Sequence, residues 1–352
     1  MTFEISTRIG VKTYGRGAPL VIAEIGVNHE GSIDTAIQMI DECIANQICA
    51  VKFQTYKAEK IAALNSPAYW DTAYEKTDSQ RELFAKYDRF NIEDYERLSK
   101  YAHQKGILFM TTAFDLNSLD EIDSMVDIHK VSSSDITNIP FLKAVGSKKK
   151  PVIISNGAST LEELKLAIQT LQNNGATMII PLHCILNYPT KNKDAHLSQI
   201  LELKEQFGCI GYSDHTVADE NLTSLLVAHS LGAVVLEKHY THNKKLSGND
   251  HYHAFDKNDA KGLMSNLKLI GELIGDSSLF NLSNQASAIK NARRGIYATK
   301  NISIGDIIAP EDLITLRPVQ GMPATEWENV VGSTAKKNIK KDEPIKEGDV
   351  EK

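Results

Sequence analysis

Cysteine is scarce in this chain: Cys43, Cys49, Cys184 and Cys209 are the only 4 in 352 residues, and no two form a CxxC pair. That argues against a zinc ribbon or a disulfide framework and leaves them as small core residues in a reducing compartment. There is no excess of base either. The 39 Lys and Arg stand against 45 Asp and Glu, a formal net charge of -6, and they are scattered rather than clustered, which disfavours a nucleic-acid partner. No apolar run is long enough to cross a bilayer, and the opening MTFEISTRIG has no apolar stretch of a secretory leader. The expectation is a cytoplasmic protein with no membrane partner. A GxxxxGK[ST] loop and a GxGxxG turn after the first strand are also missing, so nucleotide binding has no support.

What is present is alternation. Short apolar runs rich in β-branched residues recur, and amphipathic helical segments follow them, the pattern of parallel strands with crossover helices. The expected strands are Leu20–Val27, Ala50–Thr55, Leu108–Ala113, Ile128–Ser132, Val152–Ser155, Met178–Cys184, Ile210–Ser213 and Val234–His239. The clearest helices are Asp34–Ala45, Asn91–Lys105, Leu161–Asn173, Asp219–Leu231 and Asp256–Ile274. Eight such units fit a closed (β/α)8 TIM barrel better than an open sheet. One connection, Lys57–Arg89, is abnormally long and carries Trp70 and several Tyr, which reads as a structured lid over the rim. After Gly275 the pattern changes. A polar link, 276–290, leads to a small all-β domain, 291–352, in which short β-type runs alternate with Gly and Pro turns.

Polar residues at the strand ends are the functional candidates, because chemistry in parallel barrels sits at the C-terminal face. The stretch from Cys209 to His253 is the densest, with Ser213-Asp214-His215 and Glu237-Lys238-His239 ending consecutive strands. His215 and His239 could reach one ion in the mouth, and two neutral imidazoles suit Zn or a first-row ion such as Mn while leaving positions for water and substrate. His251 and His253, in GNDHYHAF, are weaker candidates, with ordering of their loop as the alternative. Lys52 and Lys130, with Thr112, Ser133, Ser155 and Ser213, form an anion cradle suited to a phosphate with a carboxylate. Glu24, Glu237 and Asp250 remain as acid/base or hydroxyl-binding carboxylates. A Schiff-base aldolase using Lys52 or Lys130, and a non-catalytic sugar-binding protein, are the rival readings.

IAEIGVNHEG (Ile22–Gly31), VKFQTY (Val51–Tyr56), HCILNYPT (His183–Thr190), GYSDHT (Gly211–Thr216), LEKHYT (Leu236–Thr241) and LRPVQGMP (Leu316–Pro323) resemble the sialic acid (N-acetylneuraminate) synthase family, in order and over the whole chain. The small C-terminal domain is similar to an antifreeze-like (SAF, β-clip) domain. The resemblance implies condensation of phosphoenolpyruvate with N-acetylmannosamine or a related N-acylated aminohexose, with Mn2+ or Mg2+. It implies that His215 and His239 hold the metal and that Lys52, Thr112, Lys130, Ser133, Ser155 and Ser213 hold phosphoenolpyruvate. Glu24, Tyr188 and Asp250 would bind sugar hydroxyls, and Glu237 would orient metal-bound water. A homodimer is implied in which Arg317 of each small domain reaches the N-acyl group in the partner's barrel. Two positions depart from the family: Leu186 stands where the synthases carry Asn, and Asp135 where they carry Glu. Both border the substrate, so the departures bear on the sugar, with legionaminic, pseudaminic and spore-coat sugars as alternatives.

Overall fold

The computed structural model of the chain describes residues 2–73, 75–248, 250–275 and 282–352. The chain divides after Gly275 into two compact units. In the first, a hairpin of β1 (Thr2–Thr7) and β2 (Gly10–Gly15) precedes β3 (Leu20–Gly26), β4 (Ala50–Thr55), β5 (Leu108–Ala113), β6 (His129–Val131), β7 (Pro151–Ser155), β8 (Met178–Cys184), β9 (Gly211–Asp214) and β10 (Val235–His239). The strands β3 to β10 are parallel neighbours in chain order, and β10 pairs with β3 to close the barrel. All eight expected strands are therefore present.

Strand alternation decides which side chains see the barrel interior. Ile22, Ala50, Met110, Ile153 and Val235 belong to one apolar cluster inside the strand starts. Two residues further along each strand stand Glu24, Lys52, Thr112, Ser155 and Glu237, all buried and all lining the mouth. The opposite parity, including Val21, Ala23, Val51, Phe53, Phe109, Ile154 and Leu236, packs outward against the helices. Gly211 is required at its place in the inner layer, because a Cβ there would lie 2.6 Å from Val235 O.

The hairpin β1–β2 was not anticipated. Its buried residues Phe3, Ile5 and Tyr14 join the inner cluster and close the N-terminal end of the barrel. The helices Ile33–Ala45, Ile92–Lys105, Leu161–Asn173 and Lys257–Ile274 match expectation to within a residue. The helix expected from Asp219 begins instead at Thr223. Asp219 Oδ1 accepts from the backbone N–H of Asn221 and Thr223 at 2.9 and 3.1 Å, which folds 219–222 into a turn.

The second unit pairs β11 (Gly295–Ala298) with β12 (Leu313–Leu316) and β13 (Thr334–Ala335) with β14 (Val350–Glu351). Ile296, Ile302, Ile308, Val330, Ile339 and Ile345 form its core. Of the stretch expected to be a polar link, residues 276–281 lie outside the described residues, and its end is a helix, Ala286–Ala292, with no buried side chain. Among the described residues no helix is long and apolar enough to cross a membrane.

Parity also separates the members of the two strand-end triplets. Asp214 and Lys238 face outward and pair at 2.8 Å, and Asp214 accepts further hydrogen bonds from Tyr212 Oη, Ser224 Oγ and Thr216 N. Burial alone would raise the Asp214 pKa, but Lys238 outweighs it and the carboxyl is held at about 2. A carboxylate depressed below its unfolded value of about 3.9 stabilises the fold above that pH, and the contribution, roughly 2 kcal/mol, fades as pH falls through 2. Asp214→Asn, which strands a buried ammonium, is expected to lose about 3 to 5 kcal/mol at pH 7 and to show a shallower loss of stability between about pH 4 and 2. Calorimetric unfolding against pH checks this, and superimposable acid limbs for the two proteins would contradict it.

Candidate active site

Two lysines and two glutamates meet at the floor of the barrel mouth. Lys52 Nζ forms an ion pair with Glu24, lies 3.7 Å from Glu237 Oε1, and donates to Thr112 Oγ1 at 3.2 Å. Lys130 Nζ lies 3.8 Å from the same Glu237 oxygen and donates to Ser155 Oγ at 2.8 Å. Ser213 Oγ donates to Glu237 Oε1 at 3.2 Å, and Gln54 Nε2 donates to Glu24 Oε1 at 2.9 Å. Burial works against charge on every member. It raises Glu24 and lowers Lys130, whereas on Lys52 the two carboxylates outweigh it and hold the ammonium above the usual lysine range. On Glu237 burial is likewise overcome, by Lys130 and Lys52, so that this carboxyl lies below its ordinary value. The floor lines a small cavity of about 60 Å³ into which hydroxyls from several strands converge. An anion with more than one charged group suits this set, because two ammonium groups can be transferred to it from the glutamates.

Above the floor lie three imidazoles and a tyrosine. The His215 and His239 rings are 5.6 Å apart, those of His239 and His253 5.1 Å, and Tyr188 packs 4.3 Å from His215. His215 Nδ1 donates to Ile185 O at 2.9 Å, and although burial lowers its pKa, Cys184 and that carbonyl outweigh it and raise it above the ordinary histidine value. Burial, then the neighbouring imidazoles, keep His239 and His253 well below the ordinary histidine range, and they are neutral. Asp250 Oδ2 is 3.4 Å from His239 Nδ1, and burial pushes its carboxyl up to about 7. Among the described residues, Nδ1 of His239 and both ring nitrogens of His253 are buried without a hydrogen-bond partner. Neutral imidazoles with orphaned nitrogens beside a carboxylate are donors that fit a first-row divalent ion.

Outward of the histidines the mouth widens into a cavity of about 370 Å³. The long β4 connection forms one wall, with Tyr69, Trp70 and Phe84, and Asp135, Asn138, Leu186 and Tyr252 contribute from other loops. The connection is structured as expected. It contains helices Ala58–Ile61 and Gln80–Tyr87 and is tied by buried Glu75, which accepts from Thr77 N at 3.0 Å and Lys86 Nζ at 3.1 Å.

Residues 21–278 match the family model described as NeuB family, and residues 293–351 match the SAF domain. The chain belongs to the NeuB family. An uncharacterised protein of Methanocaldococcus jannaschii is 34% identical over 96% of both chains, and an N,N'-diacetyllegionaminic acid synthase of Campylobacter jejuni is 33% identical over 93% of this chain and 99% of its own. The crystal structure of the N-acetylneuraminic acid synthetase of Leptospira borgpetersenii is 30% identical with a TM-score of 0.72, covering 82% of this chain and 96% of that one.

In this NeuB barrel the candidates Glu24, Lys52, Thr112, Lys130, Ser133, Ser155, Ser213, His215, Glu237 and His239 are brought together around the inner cavity, while Asp135 and Asp250 line the outer cavity and Tyr188 and His239 line both. Arg317 lies exposed in the second unit. Other strand-end polar residues face away from the mouth: His183 Nε2 donates to Ala195 O, Thr111 bonds Thr55, and Asn28 Nδ2 donates to Tyr240 O. Cys184, expected in the core, is buried but lines the floor, where its Sγ accepts from Ser133 Oγ at 3.5 Å. Cys184 was legible by parity, two residues beyond Leu182. The floor makes its own stability expectation. Glu24→Gln and Lys52→Met should each lower the melting temperature, and the double variant should lose less than their sum by at least about 1 kcal/mol. A double-mutant cycle by denaturant unfolding reads this, and strict additivity would remove the ion pair from the account.

Proposed function

We propose that the barrel condenses phosphoenolpyruvate with an N-acylated aminohexose and water, releasing phosphate and a nonulosonic acid of the sialic acid type. The observation that carries the reading is vertical order: a two-lysine, hydroxyl-lined floor, then paired imidazoles, then a wide lidded cavity. The floor suits the phosphate and carboxylate of phosphoenolpyruvate, held by Lys52, Lys130, Thr112, Ser133, Ser155 and Ser213. The open-chain sugar then lies above it, its hydroxyls near Glu24, Tyr188, Asp250 and Asp135. Carbon 3 of phosphoenolpyruvate attacks the aldehyde carbon: the electron pair of its double bond becomes the new carbon–carbon bond, and the aldehyde π pair moves onto the aldehyde oxygen. Glu237 orients the water that adds at C2 and takes its proton, which goes on to the new alkoxide to leave a hydroxyl. The resulting tetrahedral centre loses phosphate with cleavage of the C2–O bond, and the C2 hydroxyl proton leaves with the phosphate, so that C2 becomes the keto carbon. His215 and His239 would hold a divalent ion, Mn2+ or Mg2+, which when bound supplies Lewis-acid polarisation of the aldehyde.

Two observations favour a sugar bearing more than one acylamino group. The outer walls are aromatic, with Leu186 at the junction of the two cavities, and relatives named as N,N'-diacetyllegionaminic acid synthases in Campylobacter jejuni and Legionella pneumophila are each 33% identical. The rival Schiff-base reading draws support from Lys130, whose amine burial keeps below the usual lysine range. Phosphate release from phosphoenolpyruvate, with N-acetylmannosamine and 2,4-diacetamido hexoses offered in parallel, tests both. The expected result is release that requires both substrates and is fastest with a diacylated sugar. Release with no sugar, or a covalent lysine adduct trapped by borohydride, would overturn it.

The proposal extends to a homodimer in which the partner subunit's Arg317 completes each site. His239→Ala and Arg317→Ala chains would each be nearly inactive alone. After reversible dissociation and mixing, half the dimers are mixed and half of their sites intact, so about a quarter of wild-type activity should return. No recovery, with mixed dimers confirmed by mass, would contradict the swapped arrangement.

A further inference from the structure

The pair His215 and His239 does not account for the imidazole beside it. His253 is 0% exposed, and neither of its ring nitrogens has a hydrogen-bond partner among the described residues. A neutral imidazole in that position leaves one donor and one acceptor unsatisfied, each costing about 1 to 3 kcal/mol, and such groups are rare unless a water or an ion completes them. Its surroundings are themselves donor atoms. Asp250 Oδ1 is 3.8 Å from His253 Nε2, while Asp250 Oδ2 is 3.4 Å from His239 Nδ1. One ligand atom from each of His239, Asp250 and His253 can be chosen so that all lie within 4.8 Å of one another. Donors on a single ion with bonds of about 2.1 Å are separated by at most about 4.2 Å, so the set closes on an ion with small side-chain rotations. The neighbouring His251 is different: its Nδ1 is taken up by Thr241 Oγ1 at 2.8 Å, and it orders the loop.

We propose that His253 is a direct ligand of the divalent ion in the barrel mouth, forming with His239 and Asp250 a two-imidazole, one-carboxylate face. This deepens the proposed function and rests on its metal-assisted reading. Three such donors leave positions for His215 and for substrate oxygens. They also select among ions, since imidazole beside a carboxylate suits first-row ions such as Fe2+ and Zn2+, whereas Mg2+ prefers oxygen donors and water. The rival occupant of the space is a buried water bridging His253 to Asp250, which would need no ion at all.

The test is made without substrate. The full chain, stripped with a chelator, is titrated with Mn2+ by calorimetry, and the imidazole nitrogens bound to the ion are counted by electron spin-echo envelope modulation. In His253→Phe the count is expected to fall by one and the affinity at least about tenfold, the loss typical of disturbed metal sites. His215→Asn is expected to retain two nitrogens, from His239 and His253. Should His253→Phe fail to fold, His215→Asn decides alone: two nitrogens uphold the assignment and one overturns it. Unchanged count and affinity in His253→Phe overturn the His253 ligand while leaving a metal site in place. Failure of the wild-type chain to bind Mn2+, Fe2+ or Zn2+ overturns the metal reading and the ligand with it.

Discussion

Four buried charges that cannot leave the barrel govern the rest of this structure. Lys52, Lys130, Glu24 and Glu237 are each no more than 5% exposed, and a charge so placed is tolerable only when paired and hydrogen-bonded. The pairing explains why Thr112, Ser155, Ser213 and Gln54 stand where they do: each supplies or takes a hydrogen bond at the perimeter of the cluster. It also bears on the proposed function. Two ammonium groups compensated by two carboxylates form a paired floor, and in the proposed reaction an arriving anion would exchange one set of acidic oxygens for another. Binding would then release Glu24 and Glu237 from their lysines when a carboxylate that can handle a proton is needed.

The period of two along parallel strands made most of this legible. Once eight runs were recognised, the polar residues at their ends became the candidates for the site, and the resemblance of GYSDHT and LEKHYT singled out His215 and His239 among them. Membership of each pair on one side of the sheet was the harder matter. Ser213 and His215 look inward while Asp214 between them looks outward to Lys238, and adjacent residues in one motif thus serve opposite purposes, one chemical and one structural. Reading every strand-end polar residue as a mouth residue overcounted His183 and Thr111 for the same reason, and Asn28 because the register shifts at Glu24 and Gly26 and β3 ends before it.

What escaped the sequence was what depends on distant parts of the chain. The hairpin β1–β2 has a clear alternation, with Phe3 and Ile5 buried between exposed neighbours, but its role as a plug exists only once the barrel is closed. Cys184 reads as a small hydrophobe because thiol chemistry is set by surroundings, here Ser133 and His215 just beyond the ends of other strands. His253 reads as one histidine of a loop, and only the return of that loop over β10 sets it beside His239 and Asp250.

Under the proposed function the outer cavity would select the sugar and the chemistry would belong to the floor, where the defining step would be cleavage on the carbon side of the phosphate ester. Phosphoenolpyruvate carrying 18O in the oxygen that bridges C2 and phosphorus reports on that step directly. The account predicts that phosphate released in the presence of the aminohexose carries the label at every turnover, as read by mass spectrometry. Phosphate free of label, with 18O retained in the organic product, would contradict it.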